Sequence, residues 1–324
     1  MGENITFFVL MLDAMLRVST PLILASFAGM FAERSGIVDI GLEGKMLGAA
    51  FAAASVALVT DSAWLGLLAG IAVSVGLAMI HAFACVTHKG NQVVSGMALN
   101  IMVAGLGPVL ALAWFKQGSQ TPMIADIARF KPVHLPFADK LRDVPVVGEV
   151  YSELISGHNI IVYLAIGMVP LAAWFIYRTR FGLRLRAVGE NPEAVDTAGI
   201  SVAGMRYRAM IVCGILCGVA GTYLAIAMNT LFIRDMTAGM GYLALAALIF
   251  GKWKPLPTLL ACFLFAFAQA LEARLQGVDI PGIGIIPVQA IQALPYILTV
   301  LLLAGFVGKA VPPKASGIPY MKEK

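Results

Sequence analysis

RTRFGLRLRAVGENPEAVDTAGISVAGMRYR, residues 178–208, is a long polar segment that parts two almost wholly apolar halves of a 324-residue chain. Six arginines, Arg178, Arg180, Arg184, Arg186, Arg206 and Arg208, stand in it against Glu190, Glu193 and Asp196. If the flanks are membrane spans, such an excess of basic residues places the segment in the cytoplasm and orients everything on either side.

The flanks have that character. The chain is 60% hydrophobic and 13% charged, whereas a soluble domain carries about a quarter of its residues charged. Its mean hydropathy is +0.87, and the apolar residues come in runs long enough to cross a hydrocarbon core of roughly 30 Å. The expected fold is therefore all-α, a polytopic membrane helical bundle in one transmembrane domain. The net charge of +5 is no sign of nucleic-acid binding, because the basic residues lie in short loops between apolar runs and form no stripe. The first apolar run has no basic flank or small-residue cleavage site, and is expected to be a retained span.

Working outward, the spans are expected near residues 5–32, 35–60, 64–86, 93–115, 160–177, 209–228, 237–250, 256–271 and 287–307. That makes about nine, with eight or ten as the neighbouring counts, an N-terminus outside and a tail, 309–324, inside. Asp13 and Arg17 interrupt the first run at i, i+4, where they can neutralise each other. The connection 116–158 holds five basic and five acidic residues, so it has no inward bias. Pro122, Pro132, Pro136 and Pro145 limit it to short pieces of structure on the outer face.

Two stretches resemble each other. SGIVDIGLEGKMLGAAFAA, from Ser35, and TAGMGYLALAALIFG, from Thr237, each put glycine-rich backbone before a short alanine-rich helix. One opens a span running outward, the other a span running inward. Residues 1–115 and 209–308 are thus expected to form an inverted repeat with broken helices around the linking span 159–177, a known way of building a solute pathway. Gly66 and Gly70 of the third span are a small-xxx-small pair suited to close packing.

The chemistry present is sparse. No GxxxxGK[ST] phosphate loop occurs: the nearest stretch, Gly41 to Lys45, is followed by Met46. His81, His88, His134 and His158 are dispersed, no HExxH pattern occurs, and the four cysteines fall inside apolar runs, so neither a catalytic site nor a metal site is expected. Ionisable residues that come near the spans are Asp13, Arg17, Asp39 and Glu43, all read as lying toward span ends. Asp39 and Glu43 are expected to be helix caps or gate residues. Within the arginine segment, Asn191 as N-cap, Pro192 at the first helical position, Glu193 after it and Gly199 as a stop predict a short helix on the cytoplasmic face. A short helix there can pass on the movement of a separate ATPase; an ordinary solvated loop is the other reading.

Four blocks in order, TPLILASFAGMFAERSGIVDIGLEGKMLGAA (Thr20 to Ala50), GNQVVSGMALN (Gly90 to Asn100), LRLRAVGENPEAVDTAGISV (Leu183 to Val202) and GYLALAALIFGKWKP, resemble permease subunits of bacterial ABC importers. The branch is the one handling nucleosides, simple sugars and branched-chain amino acids, and ERSG…GLEG is closest to its nucleoside-type members. The resemblance implies an inner-membrane protein that is a transport subunit and no enzyme. It also implies three partners: a cytoplasmic ABC ATPase using ATP and Mg, a second permease in a heterodimer, and an extracytoplasmic substrate-binding protein. The chain itself carries no cofactor, and its other contact is membrane lipid. In such importers the cytoplasmic loop carries a coupling helix; Glu190, Asn191, Pro192, Glu193, Ala194 and Gly199 fall in the matching stretch, with Val195 where a longer-known motif has a second alanine.

For a purine nucleoside, amides along an apolar pathway offer suitable hydrogen bonds. Asn91, Gln92, Ser95 and Asn100, with Gln289 and Gln292 in the proposed symmetry mate, are the substrate-pathway candidates. The alternative role for the same groups is to satisfy backbone in kinked helices. Sugar or branched-chain amino-acid transport, and a stand-alone carrier, are the competing functions.

Overall fold

The computed structural model describes residues 2–136, 148, 150–275, 279–280, 284–285, 288–293, 297, 300–301 and 310–322. Among the described residues the helices are α1 (Gly2–Arg34), α2 (Leu42–Thr60), α3 (Ala63–Ala82), α4 (Gln92–Phe115), α5 (Ile160–Arg178), α6 (Arg180–Glu190), α7 (Pro192–Thr197), α8 (Val202–Tyr223), α9 (Met240–Phe250), α10 (Pro255–Leu275) and α11 (Val288–Gln292). A two-residue antiparallel ladder, β1 (Asp279–Ile280) with β2 (Gly284–Ile285), is the one strand pairing described. Seven helical stretches are long and apolar enough to cross a membrane, with Met240–Phe250 as a shorter apolar helix. The expected ninth span, 287–307, falls largely outside the described residues.

α8 and α2 form the centre of the bundle: 83% and 72% of their most apolar windows are buried, against 28% for α4. Small residues let them approach. A Cβ on Gly221 of α8 would lie 2.1 Å from the Met46 carbonyl oxygen of α2, so nothing larger than glycine fits. The Gly66 and Gly70 pair of α3 faces the carbonyls of Ala53 and Ala49 on α2, as its spacing predicts.

Individual helix ends follow local chemistry. α2 stops at Thr60 where Asp61 turns left-handed, and Ser62 caps α3 by accepting from the Leu65 N–H at 3.4 Å. Pro21 lies inside α1. Lacking an N–H, it cannot bond the carbonyl of Arg17 four residues earlier. The Tyr223 hydroxyl of α8 donates to that carbonyl at 3.0 Å, so the orphaned acceptor becomes a bond between the two helices.

Where it is described, the connection 116–158 holds short pieces, including a 3₁₀ turn at Asp126–Ala128. It is tied to the segment after α8 by Ile124 N–H to Thr230 O at 2.7 Å and Thr121 N–H to Phe232 O at 3.0 Å. The arginine segment differs from its reading as a loop. It holds two helices, α6 and α7, and α8 begins at Val202, capped by Ser201, well before residue 209. Arg206 and Arg208 are therefore helical, and Arg206 is 1% exposed.

Candidate functional site

Between α1 and α2 the chain is not helical from residue 35 to 41, and α9 supplies a ruler for how far this segment travels. At the foot of α9, the Trp253 indole donates to Glu33 and the Trp253 carbonyl accepts from Arg34 at 2.7 Å, fixing the end of α1 there. At its head, the Glu43 carboxylate accepts the N–H groups of Gly239 at 2.8 Å and Gly241 at 2.6 Å. α9 has 11 residues, a length of about 16 Å at 1.5 Å per residue. Arg34 and Glu43 thus lie about one length of α9 apart, and the irregular segment 35–41 re-enters the bundle between them. Asp39 is buried within this re-entrant segment, and Glu43, partly buried, stands in the first turn of α2, at the start of that span.

The first turns of α2 and α9 consequently meet. Each leaves backbone N–H groups unpaired and a partial positive charge. Glu43 neutralises that of α9 from a distance of 196 residues in sequence. Gly241 is required at the contact: a Cβ there would lie 2.5 Å from the Glu43 nitrogen. Asn100 of α4 closes the break from the side. Its Oδ1 accepts from Gly44 N–H at 2.8 Å, and its Nδ2 donates to Ile40 O at 3.0 Å and to the Tyr242 hydroxyl at 2.9 Å. Tyr242 itself is 41% exposed, beside the equally open Met97. An aromatic face with a polar tip is therefore presented at the junction of the two broken helices.

Below this junction lies a buried ionic group. Asp39 pairs with Lys45, neither side chain being exposed. Asp39 also accepts from Gly41 N–H at 3.1 Å and from the Cys213 thiol at 3.2 Å, and His81 Nε2 stands 3.9 Å away. His81 Nε2 reaches Val38 O at 3.3 Å and Nδ1 reaches Ser95 Oγ at 3.0 Å. A carbonyl only accepts, so Nε2 carries a proton toward Val38 O. Sequence reasoning missed Lys45, His81 and Cys213 here. The six-residue separation of Asp39 and Lys45 was the available signal.

The other candidates take these places. Asn91 caps α4, accepting from Val93 and Val94 at 3.0 and 3.1 Å. Gln92 Oε1 accepts from Val38 N–H at 2.6 Å, and its Nε2 is buried without a partner. Gln92, Ser95 and Asn100 are thus gathered around the break and the first turn of α2. Gln289 is exposed on α11, which packs against α10, apart from that group; the Gln292 side chain is outside the described residues.

On the face carrying the arginines, Asn191 Oδ1 accepts from Ala194 N–H at 3.1 Å and caps α7, and Gly199 ends it with a φ of +77°. Glu193 and Ala194 are exposed, whereas Val195 is buried and turned to the bundle. α6 and α7 enclose a largely apolar groove of about 520 Å³ with Leu183, Ala187 and Ala194 in its lining and Arg180, Arg184 and Glu190 charged along it. No cluster that could hold a metal ion occurs among the described residues.

The family described as branched-chain amino acid transport system / permease component matches residues 11–305. This chain belongs to that family. The permease is 39% identical over 316 residues to the nucleoside ABC transporter permease protein NupC of Lactococcus lactis, covering 96% of each chain. It is 38% identical over 322 residues to the guanosine ABC transporter permease protein NupQ of Bacillus subtilis, 97% of each. The putative glucose ABC transporter permease protein TsgC13 of Haloferax volcanii is 33% identical over 309 residues, 91% of this chain and 90% of that one. Less similar are NupB and NupP of the same Lactococcus and Bacillus strains, at 26% over 161 residues and 27% over 258. The chain is a multi-pass membrane transport component.

Proposed function

We propose that this permease is the membrane-spanning subunit of an ATP-driven importer of nucleosides, purine nucleosides foremost, in the inner membrane. The observation that carries the substrate class is the 38–39% identity, over nearly the whole of both chains, to a nucleoside and a guanosine permease. The geometry agrees with it. The junction of α2 and α9 offers the exposed Tyr242, whose ring suits a nucleobase face and whose hydroxyl is already oriented by Asn100.

ATP and Mg act in a separate cytoplasmic ATPase, and α7 is where that subunit grips. Glu193 and Ala194 project from a capped helix beside the apolar groove, which fits a docking contact. A second, non-identical permease completes the pathway. NupB and NupC of one organism and NupP and NupQ of another, all similar to this chain, favour a pair. A binding protein delivers the solute on the outer side, and residues 1–115 and 209–308 act as inverted halves, a reading supported by the head-to-head start of α2 and α9.

Within this scheme Gln92, Ser95 and Asn100 hold the break in shape, Asn91 caps α4, and Glu43 holds α9. ATP-dependent uptake of labelled guanosine by cells carrying the full importer, competed with unlabelled guanosine, glucose and leucine, tests the substrate class. Guanosine competing at least tenfold better than glucose is expected. Competition by glucose alone would favour a sugar importer, the reading to which TsgC13 points.

A further inference from the structure

Residues 313–322, near the C-terminus, lie across the face that carries α7, and their bonds go to three separate parts of the protein. Ala315 N–H donates to Gly189 O at 2.8 Å, at the end of α6. Gly317 N–H donates to Gly36 O at 3.1 Å, at the start of the re-entrant segment. Lys322 stands 3.4 Å from Asp196 of α7. Between these points lies Arg206, whose Nε donates to Ser35 O and whose Nη2 donates to Ile318 O, each at 3.2 Å.

A guanidinium 1% exposed that spends its donors on backbone carbonyls is an expensive group to keep. It gains nothing from a surface role, and both its partners are main-chain atoms at junctions. Gly36 adopts a φ of +87°, and a Cβ on it would lie 3.0 Å from both Ala315 O and Arg206 Nη2, so the fit there is close. The C-terminal segment is thus clamped to the first residues of the broken helix on one side and to α6 and α7 on the other.

We propose that residues 313–322, locked by Arg206, are a mechanical tie that carries displacement of α7 to the re-entrant segment at Ser35 and Gly36, with Arg206 as its positioning residue. This rests on α7 being the ATPase contact. Movement of α7 and α6 pulls on Gly189 and Asp196, the tail transmits it to Gly36, and the segment carrying Asp39 and Glu43 shifts against α9. Without the tie, hydrolysis continues while less of the movement reaches the break before α2.

The test uses the complete importer in proteoliposomes, with a solute that the wild type moves, chosen from guanosine, glucose and leucine. The variants are a chain ending at Pro312, Arg206→Met, Arg206→Lys and Ala315→Pro, which deletes one donor in the tail alone. The readouts are ATPase retained, ATP hydrolysed and solute moved per ATP. Each lost hydrogen bond biases the linked positions several-fold, so the truncated chain and Arg206→Met should move about tenfold less solute per ATP, with hydrolysis within about twofold of wild type. Arg206→Lys should recover part of the loss, since an ammonium still donates to carbonyls. An unchanged ratio in the truncated chain and in Ala315→Pro would overturn the proposal. So would loss of the ATPase from the truncated complex, which would make the tail part of the docking surface. Should the truncated chain fail to reach the membrane, Ala315→Pro decides. Normal uptake by Glu193→Lys would instead remove the docking role of α7, an outcome separate from these ratios.

Discussion

The Glu43 carboxylate accepts the backbone N–H of Gly241 at 2.6 Å, joining the first turn of α2 to the first turn of α9. Its second oxygen takes Gly239, so one side chain satisfies two of the donors that the start of α9 leaves over. Glu43→Ala strands both. Hydrogen bonds to a charged group contribute about 1.5–3 kcal/mol, so a loss of about 3 kcal/mol is expected, seen as a lowered Tm in detergent and lost uptake. Glu43→Gln keeps one acceptor oxygen and should fall between Ala and wild type.

Asn100 is the lateral brace of the same junction. Asn100→Leu keeps the branched shape but removes the bonds to Gly44, Ile40 and Tyr242. Each buried group left unpaired costs about 1–3 kcal/mol, so uptake should fall well beyond any fall in membrane abundance. Uptake by the variant that matches wild type per molecule inserted would remove Asn100 from the account of the junction.

Asp39 and Lys45 form a buried pair, and removing one partner of such a pair costs about 3–5 kcal/mol. Lys45→Met alone should lower thermal stability sharply, and Asp39→Asn with Lys45→Met should restore much of it.

Much of this was legible locally. Asn191, Pro192 and Gly199 announced α7, and Gly36, Gly41 and Gly44 announced the break before α2. The helix α6 was also written in the segment: Gly182, Leu185, Val188 and Gly189 are buried at helical spacing, but counting its arginines concealed that periodicity. What local pattern cannot carry is a partner far off in sequence. Nothing around Glu43 names Gly239, nothing around Asp39 names Cys213, and Arg206 reads as one more topology charge until Ser35 and Ile318 are beside it. Amides at the start of the fourth span suit both a solute pathway and the closing of a helix break, and residue type does not distinguish the two.

Packing at the centre gives a contrast between two glycines. Gly221→Ala would set a Cβ 2.1 Å from Met46 O, whereas Gly105 has nothing within 4 Å of the same position. Overpacking costs about 1–3 kcal/mol, so Gly221→Ala should lower the Tm clearly. Gly105→Ala should leave the Tm unchanged or raise it slightly, since alanine favours a helix by up to about 1 kcal/mol over glycine.

The proposed drive of this permease by an external motor through α7 is probed most directly at Glu193, which is exposed on that helix. The measurement is ATP-dependent guanosine uptake into proteoliposomes holding the complete importer, wild type beside Glu193→Lys, with permease per vesicle determined in parallel. Uptake at background for Glu193→Lys, with equal permease inserted, is the predicted result. Wild-type uptake from that variant would contradict the account.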